Sequence, residues 1–269
     1  MVFILPERLE VKAAKEVNRT AIFRVSYEEE TCTAILCNHG CNWDCSICSY
    51  KLRGDLQPYR FLSTNILIES LSSVKVEKVV LMGGEPLTCT DLDVIVDFAK
   101  NELGAIVKIA HSNASLLPPE GIDEMGVSLR AVTKRKHQQL TGAPNNTVLA
   151  NIYKLHDRGI EINMSTILIP EVITSDEIKK ISEYVASVDE SIPLHITGYI
   201  PVPGLPWMSP SLEEMKAAVD IACKHLKNVT SSSPTVKDYL AMTEEDSLHS
   251  KKRGGLGDRW SGDRDASRE

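Results

Sequence analysis

The sequence has no excess of positive charge: 30 Lys and Arg stand against 37 Asp and Glu, for a formal net charge of −7. That balance argues against a general nucleic-acid binder, whose surface is usually basic, although one positive groove on an acidic protein stays compatible with it. No apolar run approaches the ~18 residues needed to span a bilayer. The start, Met1-Val2-Phe3-Ile4-Leu5-Pro6, lacks the basic residues and long apolar core of a secretory signal, so a cytoplasmic protein is expected. Aromatic residues are sparse at 5%, while the 42% hydrophobic content is ordinary for a globular chain. No internal repeat recurs, and 269 residues suit one large domain.

Seven cysteines are present: Cys32, Cys37, Cys41, Cys45, Cys48, Cys89 and Cys223. An odd number, with five crowded into residues 32–48, points to metal or redox use rather than disulfides in a reducing compartment. Cys41, Cys45 and Cys48 are separated by three and then two residues. Thiolates are soft ligands that suit iron–sulfur clusters and zinc. Three cysteines would hold three corners of a four-iron cluster and leave the fourth iron open to another ligand. Alternatively, Cys37 could join them and close a four-thiolate zinc site in a structural module. No second set of four cysteines exists to hold an auxiliary cluster.

Along the chain, residues 1–19 read as an irregular arm. Strands are expected at 20–25 and 33–37, the second running through Asn38-His39-Gly40 into the cysteine loop. From there strands and helices alternate. Helices are predicted at 65–74, with Ser63 or Thr64 as cap, and at 91–103, 146–158, 175–188 and 211–226. Strands are predicted at 76–82, 105–110, 126–129, 161–169 and 194–200. Such alternation predicts an α/β fold of parallel strands with outer helices, a partial (β/α)6 TIM-type barrel over about residues 31–230. Residues 1–30 would supply the arm and first strand. Residues 231–269 form a polar, Gly-, Arg- and Asp-rich tail, with Trp260 in its last part, and are expected to be disordered. Functional residues of a parallel barrel gather at the C-terminal ends of its strands. The cysteine loop, Gly83-Gly84-Glu85, Ser112-Asn113, Arg130 and His195 all fall there.

The cysteine loop, lying between a strand and a helix, resembles that of the radical S-adenosylmethionine (SAM) enzymes. The resemblance implies that Cys41, Cys45 and Cys48 hold a [4Fe-4S] cluster. The amino and carboxylate groups of SAM would then chelate the fourth iron. Reductive cleavage of SAM would give a 5′-deoxyadenosyl radical that abstracts hydrogen from a substrate. Gly83-Gly84-Glu85-Pro86 matches the family's motif for the SAM amino group, and Ser112-Asn113 lies where the family contacts SAM. Ile47 stands where an aromatic residue usually lies near the adenine.

Ser128-Leu129-Arg130-Ala131, then His137, then Leu140-Thr141-Gly142, is similar to the activating enzymes of glycyl-radical proteins. Ser128 replaces the usual Asp and Arg130 the usual Lys, keeping a cation for the SAM carboxylate. His195 would contact SAM or position substrate. The resemblance covers roughly residues 33–226 and further implies a low-potential electron donor, such as ferredoxin or flavodoxin. It implies a substrate that is either a partner protein or a small molecule, the latter as in the carboxydeazaguanine synthases.

Overall fold

The computed structural model describes residues 21–53 and 61–241. The arm at 1–19 and the end of the tail, with Trp260, lie outside the described residues. Strand β1 (Ile22–Glu28) runs antiparallel to β2 (Thr33–Asn38). Six further strands then join in parallel: β3 (Lys78–Gly83), β4 (Ile106–Ser112), β5 (Glu124–Ser128), β6 (Glu161–Leu168), β7 (Leu194–Gly198) and β8 (Val229–Ser232). Their spatial order is their order in the chain. Among the described residues β1 and β8 do not meet, so the sheet is a partial barrel with two edges.

The crossovers carry α1 (Thr64–Ser72), α2 (Leu92–Asn101), α3 (Lys134–Thr141), α4 (Asn146–Asp157), α5 (Ser175–Val188) and α6 (Leu212–Ala222). Each strand exposes its two faces to different surroundings. On β6, residues Ile162, Met164, Thr166 and Leu168 are buried, while those between them are only half-buried. Val79, Leu81, Val107 and Ile109 continue that buried face across β3 and β4. Leu67, Leu71, Ile95, Ile178 and Ile181 of the helices join them in one core, each removing a side chain from water for roughly 1.5–3 kcal/mol. Helix ends follow the sequence signals. Ser63 accepts a hydrogen bond from Ile66 N–H at 3.4 Å, and Ser211 with Glu214 forms a reciprocal capping box at the start of α6.

The opposite, concave face carries polar groups among apolar ones such as Val80 and Ile167. At its lower end Lys78 and Lys108 each bind one oxygen of Glu124, at 2.8 and 2.7 Å. Two elements depart from the sequence reading. Helix α3 occupies a stretch with almost no apolar residues. Strand β8 crosses the expected boundary at residue 231, so the polar tail begins inside the sheet.

Candidate functional site

The site begins where β2 and β3 end. Asn38 pairs in register with Gly83, and the two backbones then stay in contact. Gly84 N–H donates to the Asn38 carbonyl at 3.1 Å, and Glu85 N–H to the Gly40 carbonyl at 2.8 Å. The Asn38 amide donates to the Glu85 carbonyl at 3.0 Å. A Cβ on Gly83 would lie 2.2 Å from the Asn38 carbonyl oxygen, and one on Gly84 would lie 1.8 Å from that of Gly40. The glycine pair therefore admits the backbone that leads into the cysteine loop. Glu85 is only 1% exposed. Its Oε1 accepts from Ser112 Oγ at 2.7 Å and Leu87 N–H at 3.2 Å, and its Oε2 from Asn113 N–H at 2.6 Å. Burial pushes its carboxyl above the usual range, and the donors only partly offset this.

The three thiols follow at once. Cys41 Sγ accepts from Trp43 N–H at 3.4 Å and from the Asn113 amide at 3.8 Å. Asn42 is bonded to Asn113 and to Ser115, both at 2.8 Å. Ser46 N–H donates to the Leu140 carbonyl at the end of α3 at 2.9 Å, and the Trp43 ring stands edge-on to His137 at 5.3 Å. Ile47 is buried in the core at 7% exposure. His39 packs between Phe23 and Phe61. Burial pushes the Cys45 thiol up to about 11, Arg130 pulls it down, and Cys48 and Cys41 push it up again. Cys41 is raised chiefly by burial. Free of metal, Cys41 and Cys45 keep their protons near neutral pH, so metal binding must release them.

Arg130 follows β5. Burial lowers its pKa, and Cys45 and Cys48 raise it. Among the described residues it forms no ion pair with a carboxylate. The next turn leads into α3, and the donors just before the helix are met by Glu177 of α5. Val132 N–H, Thr133 N–H and Thr133 Oγ1 donate to its carboxylate at 3.0, 2.7 and 2.7 Å. Gly142, with φ +75°, ends the helix in a left-handed conformation that glycine adopts without strain. His137 is fully buried. Its Nδ1 lies 2.9 Å from the Ala143 carbonyl, and its Nε2 has no partner among the described residues.

Ser128 ends β5, but His195 is the second residue of β7, near that strand's N-terminal end rather than at the C-terminal end expected, because β7 begins only at Leu194. Neither shares the loop's own bonds. Ser128 Oγ is 3.0 Å from Ser165 Oγ. His195 Nδ1 is 2.8 Å from Thr230 Oγ1, and its Nε2 is 2.8 Å from Ser232 Oγ. Sequence reading missed Asn42, His111, Glu177, Thr230 and Ser232. Only His111, next to Ser112-Asn113 at a strand end, carried a signal.

The donor set can be tested against a metal group. Cys37, the fourth thiolate of the zinc alternative, lies on β2 and accepts a hydrogen bond from Arg24 at 3.2 Å. Among the described residues no three His, Cys, Asp or Glu side chains gather as the shell of one metal ion. Three thiols bound to three different irons need not converge on a point. The set of Cys41, Cys45 and Cys48, with a cation beside it and no fourth thiol, fits a cluster with one free iron.

Comparisons with known proteins agree on the family. The profile of the radical SAM superfamily matches residues 35–185. A Methanocaldococcus jannaschii protein named "Putative glycyl-radical enzyme activating enzyme MJ1632" is 29% identical over 205 residues, covering 73% of this chain and 79% of that protein. Among solved structures, Streptococcus suis SuiB bound to precursor peptide SuiA matches with a TM-score of 0.56 at 15% identity, over 75% of this chain and 49% of SuiB. A radical SAM methyltransferase from Sphaerobacter thermophilus matches with a TM-score of 0.53 at 16% identity, over 78% of this chain and 68% of that one. This chain thus spans about half the length of SuiB.

Proposed function

Because this chain belongs to the radical SAM superfamily, we propose that it is an activase-like enzyme in which Cys41, Cys45 and Cys48 hold a [4Fe-4S] cluster beside bound SAM. When bound, cluster and SAM together supply a carbon radical able to take a hydrogen atom from a substrate. The observation that carries the reading is the mooring of a three-thiol loop to the C-terminal ends of β2, β3 and β4, with Arg130 alongside.

The chain's own residues bind and orient. Arg130, without a carboxylate partner among the described residues, offers a two-pronged donor to the SAM carboxylate and favours the thiolate form of Cys45. The Glu85 carboxylate is occupied by Ser112, Asn113 and Leu87. It therefore serves SAM by fixing the strand ends, and the Gly83 and Gly84 carbonyls are left to accept from the amino group. Asn113 links that carboxylate to Cys41. Ser128 offers a neutral hydroxyl toward the ribose, and Ile47 gives the loop an apolar underside.

The relative's name supports a polypeptide substrate, a glycine backbone on a partner protein. A low-potential donor such as ferredoxin or flavodoxin would reduce the cluster. Anaerobically purified protein is expected to contain iron and sulfide, to show a broad brown absorption, and to convert SAM to 5′-deoxyadenosine with reductant. Cys45→Ala should abolish that conversion. Colourless protein without iron, or unchanged nucleoside release from the variant, refutes the reading.

A further inference from the structure

The acids of this chain are unevenly spread. It has 37 Asp and Glu and a formal net charge of −7, yet no acid falls between Glu124 and Asp157. That gap holds Arg130 and the run Lys134-Arg135-Lys136 that opens α3. The helix sorts its residues by face. His137, Leu140 and Thr141 are buried, while Lys134, Arg135, Gln138 and Gln139 are exposed. An open hollow of about 650 Å³ lies over those four. The buried Glu177 carboxylate is shared by two cations, Lys136 at 3.5 Å and Lys180 at 4.0 Å. Among the described residues Lys134 and Arg135 form no ion pair, and Asp176, exposed at the start of α5, pairs with none of these cations. Unneutralised cations grouped on an acidic molecule make a local positive field, which draws acidic surfaces and orients them.

The buried side of the same helix is fastened to the thiol loop. Ser46 directly follows Cys45, and its N–H and Oγ both donate to the Leu140 carbonyl, at 2.9 and 3.2 Å. The Trp43 ring stands edge-on to His137 at 5.3 Å. The basic face and the loop are thus on opposite sides of one helix, roughly 10–12 Å through with its side chains. That thickness decides between partners. A hydrogen atom moves only between groups held about 3–3.5 Å apart, so a substrate's reacting carbon cannot sit on this face. An electron needs no such contact and crosses a packed helix by tunnelling.

We propose that the exposed face of α3, with Lys134 and Arg135 at its centre and Gln138 and Gln139 beside them, docks an acidic one-electron carrier protein. The inference rests on the radical SAM reading of the thiol loop. In the docked pair the reduced carrier is oxidised by one electron, and that electron passes to the cluster held by Cys41, Cys45 and Cys48. No bond forms or breaks at this face.

The test is calorimetry and stopped-flow reduction with the full-length protein. The probes are an acidic flavodoxin, an acidic [2Fe-2S] ferredoxin, a basic c-type cytochrome of similar size and an RNA oligomer. At least one acidic carrier should bind cluster-loaded and cluster-free protein alike. Its binding should fade as salt rises toward about 1 M, where the screening length is about 3 Å. Lys134→Glu/Arg135→Glu should weaken it about tenfold, since two attractions become repulsions. Gln138→Lys/Gln139→Lys should tighten it. Acids in a first turn suit the helix dipole, so the reversed variant should keep the wild-type melting temperature and cluster absorption. If it does not, Lys134→Ala/Arg135→Ala replaces it. Reduction by the carrier should slow by the same factor in the variant, while photoreduced deazaflavin, a small reductant, should drive SAM cleavage at the wild-type rate. Binding of neither carrier, equal binding of the cytochrome, or affinity unchanged by salt or by charge reversal overturns the docking face. RNA bound more tightly than either carrier, and lost on charge reversal, overturns it in favour of a nucleic acid. If one of these results comes while iron is present and SAM is cleaved, this inference alone has failed. If iron is absent, the underlying reading has failed.

Discussion

Gly84→Ala tests the claim that the glycine pair exists to let two backbones touch. The added methyl would stand 1.8 Å from the Gly40 carbonyl oxygen, 2.6 Å from its carbon and 3.0 Å from its nitrogen. All three are backbone atoms, so no side chain can swing away. Overpacking of a rigid site costs roughly 1–3 kcal/mol. The displaced backbone would also lose the Glu85 N–H to Gly40 bond, present at 2.8 Å, worth about 1 kcal/mol more. A total near 2–4 kcal/mol should lower the melting temperature by about 5–15 °C for a domain of this size. Because Gly40 directly precedes Cys41, the same strain should lower iron content after anaerobic reconstitution. Gly40→Ala is the control: it meets nothing within 4 Å, and only its φ of +87° is unfavourable. It should cost about 1–2 kcal/mol. If Gly84→Ala melts within a degree of the wild type and takes up iron normally, the reasoning about this contact is wrong.

Asn113→Ala removes the amide that reaches Cys41 and Asn42, and should cost about 1–2 kcal/mol in urea denaturation. It should also slow thiol alkylation at Cys41 in the metal-free protein, because that amide lowers the Cys41 pKa and its loss leaves less thiolate. For Glu177, burial alone would raise the carboxyl, but the Thr133 donors and the Lys136 and Lys180 charges outweigh it and hold the pKa below the usual value. A depressed acid stabilises the fold fully above its unfolded pKa, about 4.3. That contribution fades as the pH falls through the lower folded value. Glu177→Gln should therefore lose about 1–3 kcal/mol at pH 7 and show a shallower decline in stability below about pH 4 than the wild type, measured by urea midpoints across pH.

The alternation of strand and helix was legible because most strands present one apolar face and most helices one apolar stripe. Helix α3 had no such stripe. Its sequence, Lys134-Arg135-Lys136-His137-Gln138-Gln139-Leu140-Thr141, buries only His137, Leu140 and Thr141. It is held at its two ends, by Glu177 from a helix distant in sequence and by Gly142, and neither contact leaves a periodic trace. Strand β8 is four largely exposed residues whose order comes from pairing with β7. The thiol spacing could be read directly because ligand chemistry dictates residue type. The neighbours of those thiols could not, since Asn113 and Leu140 meet the loop only through the fold. Gly83 and Gly84 were read for their place in a motif for the SAM amino group, and their close contact with the strand end beside them could not be read, since it exists only in the fold.

The thiol loop is fastened at several points by groups outside it: the Leu140 carbonyl, the Asn113 amide and the His137 ring. A segment so tethered is pre-organised and gives up little conformational freedom when it takes on its inorganic cargo. The apoprotein should thus be a folded receptor that awaits assembly, unlike small metal-nucleated domains that collapse without their ion.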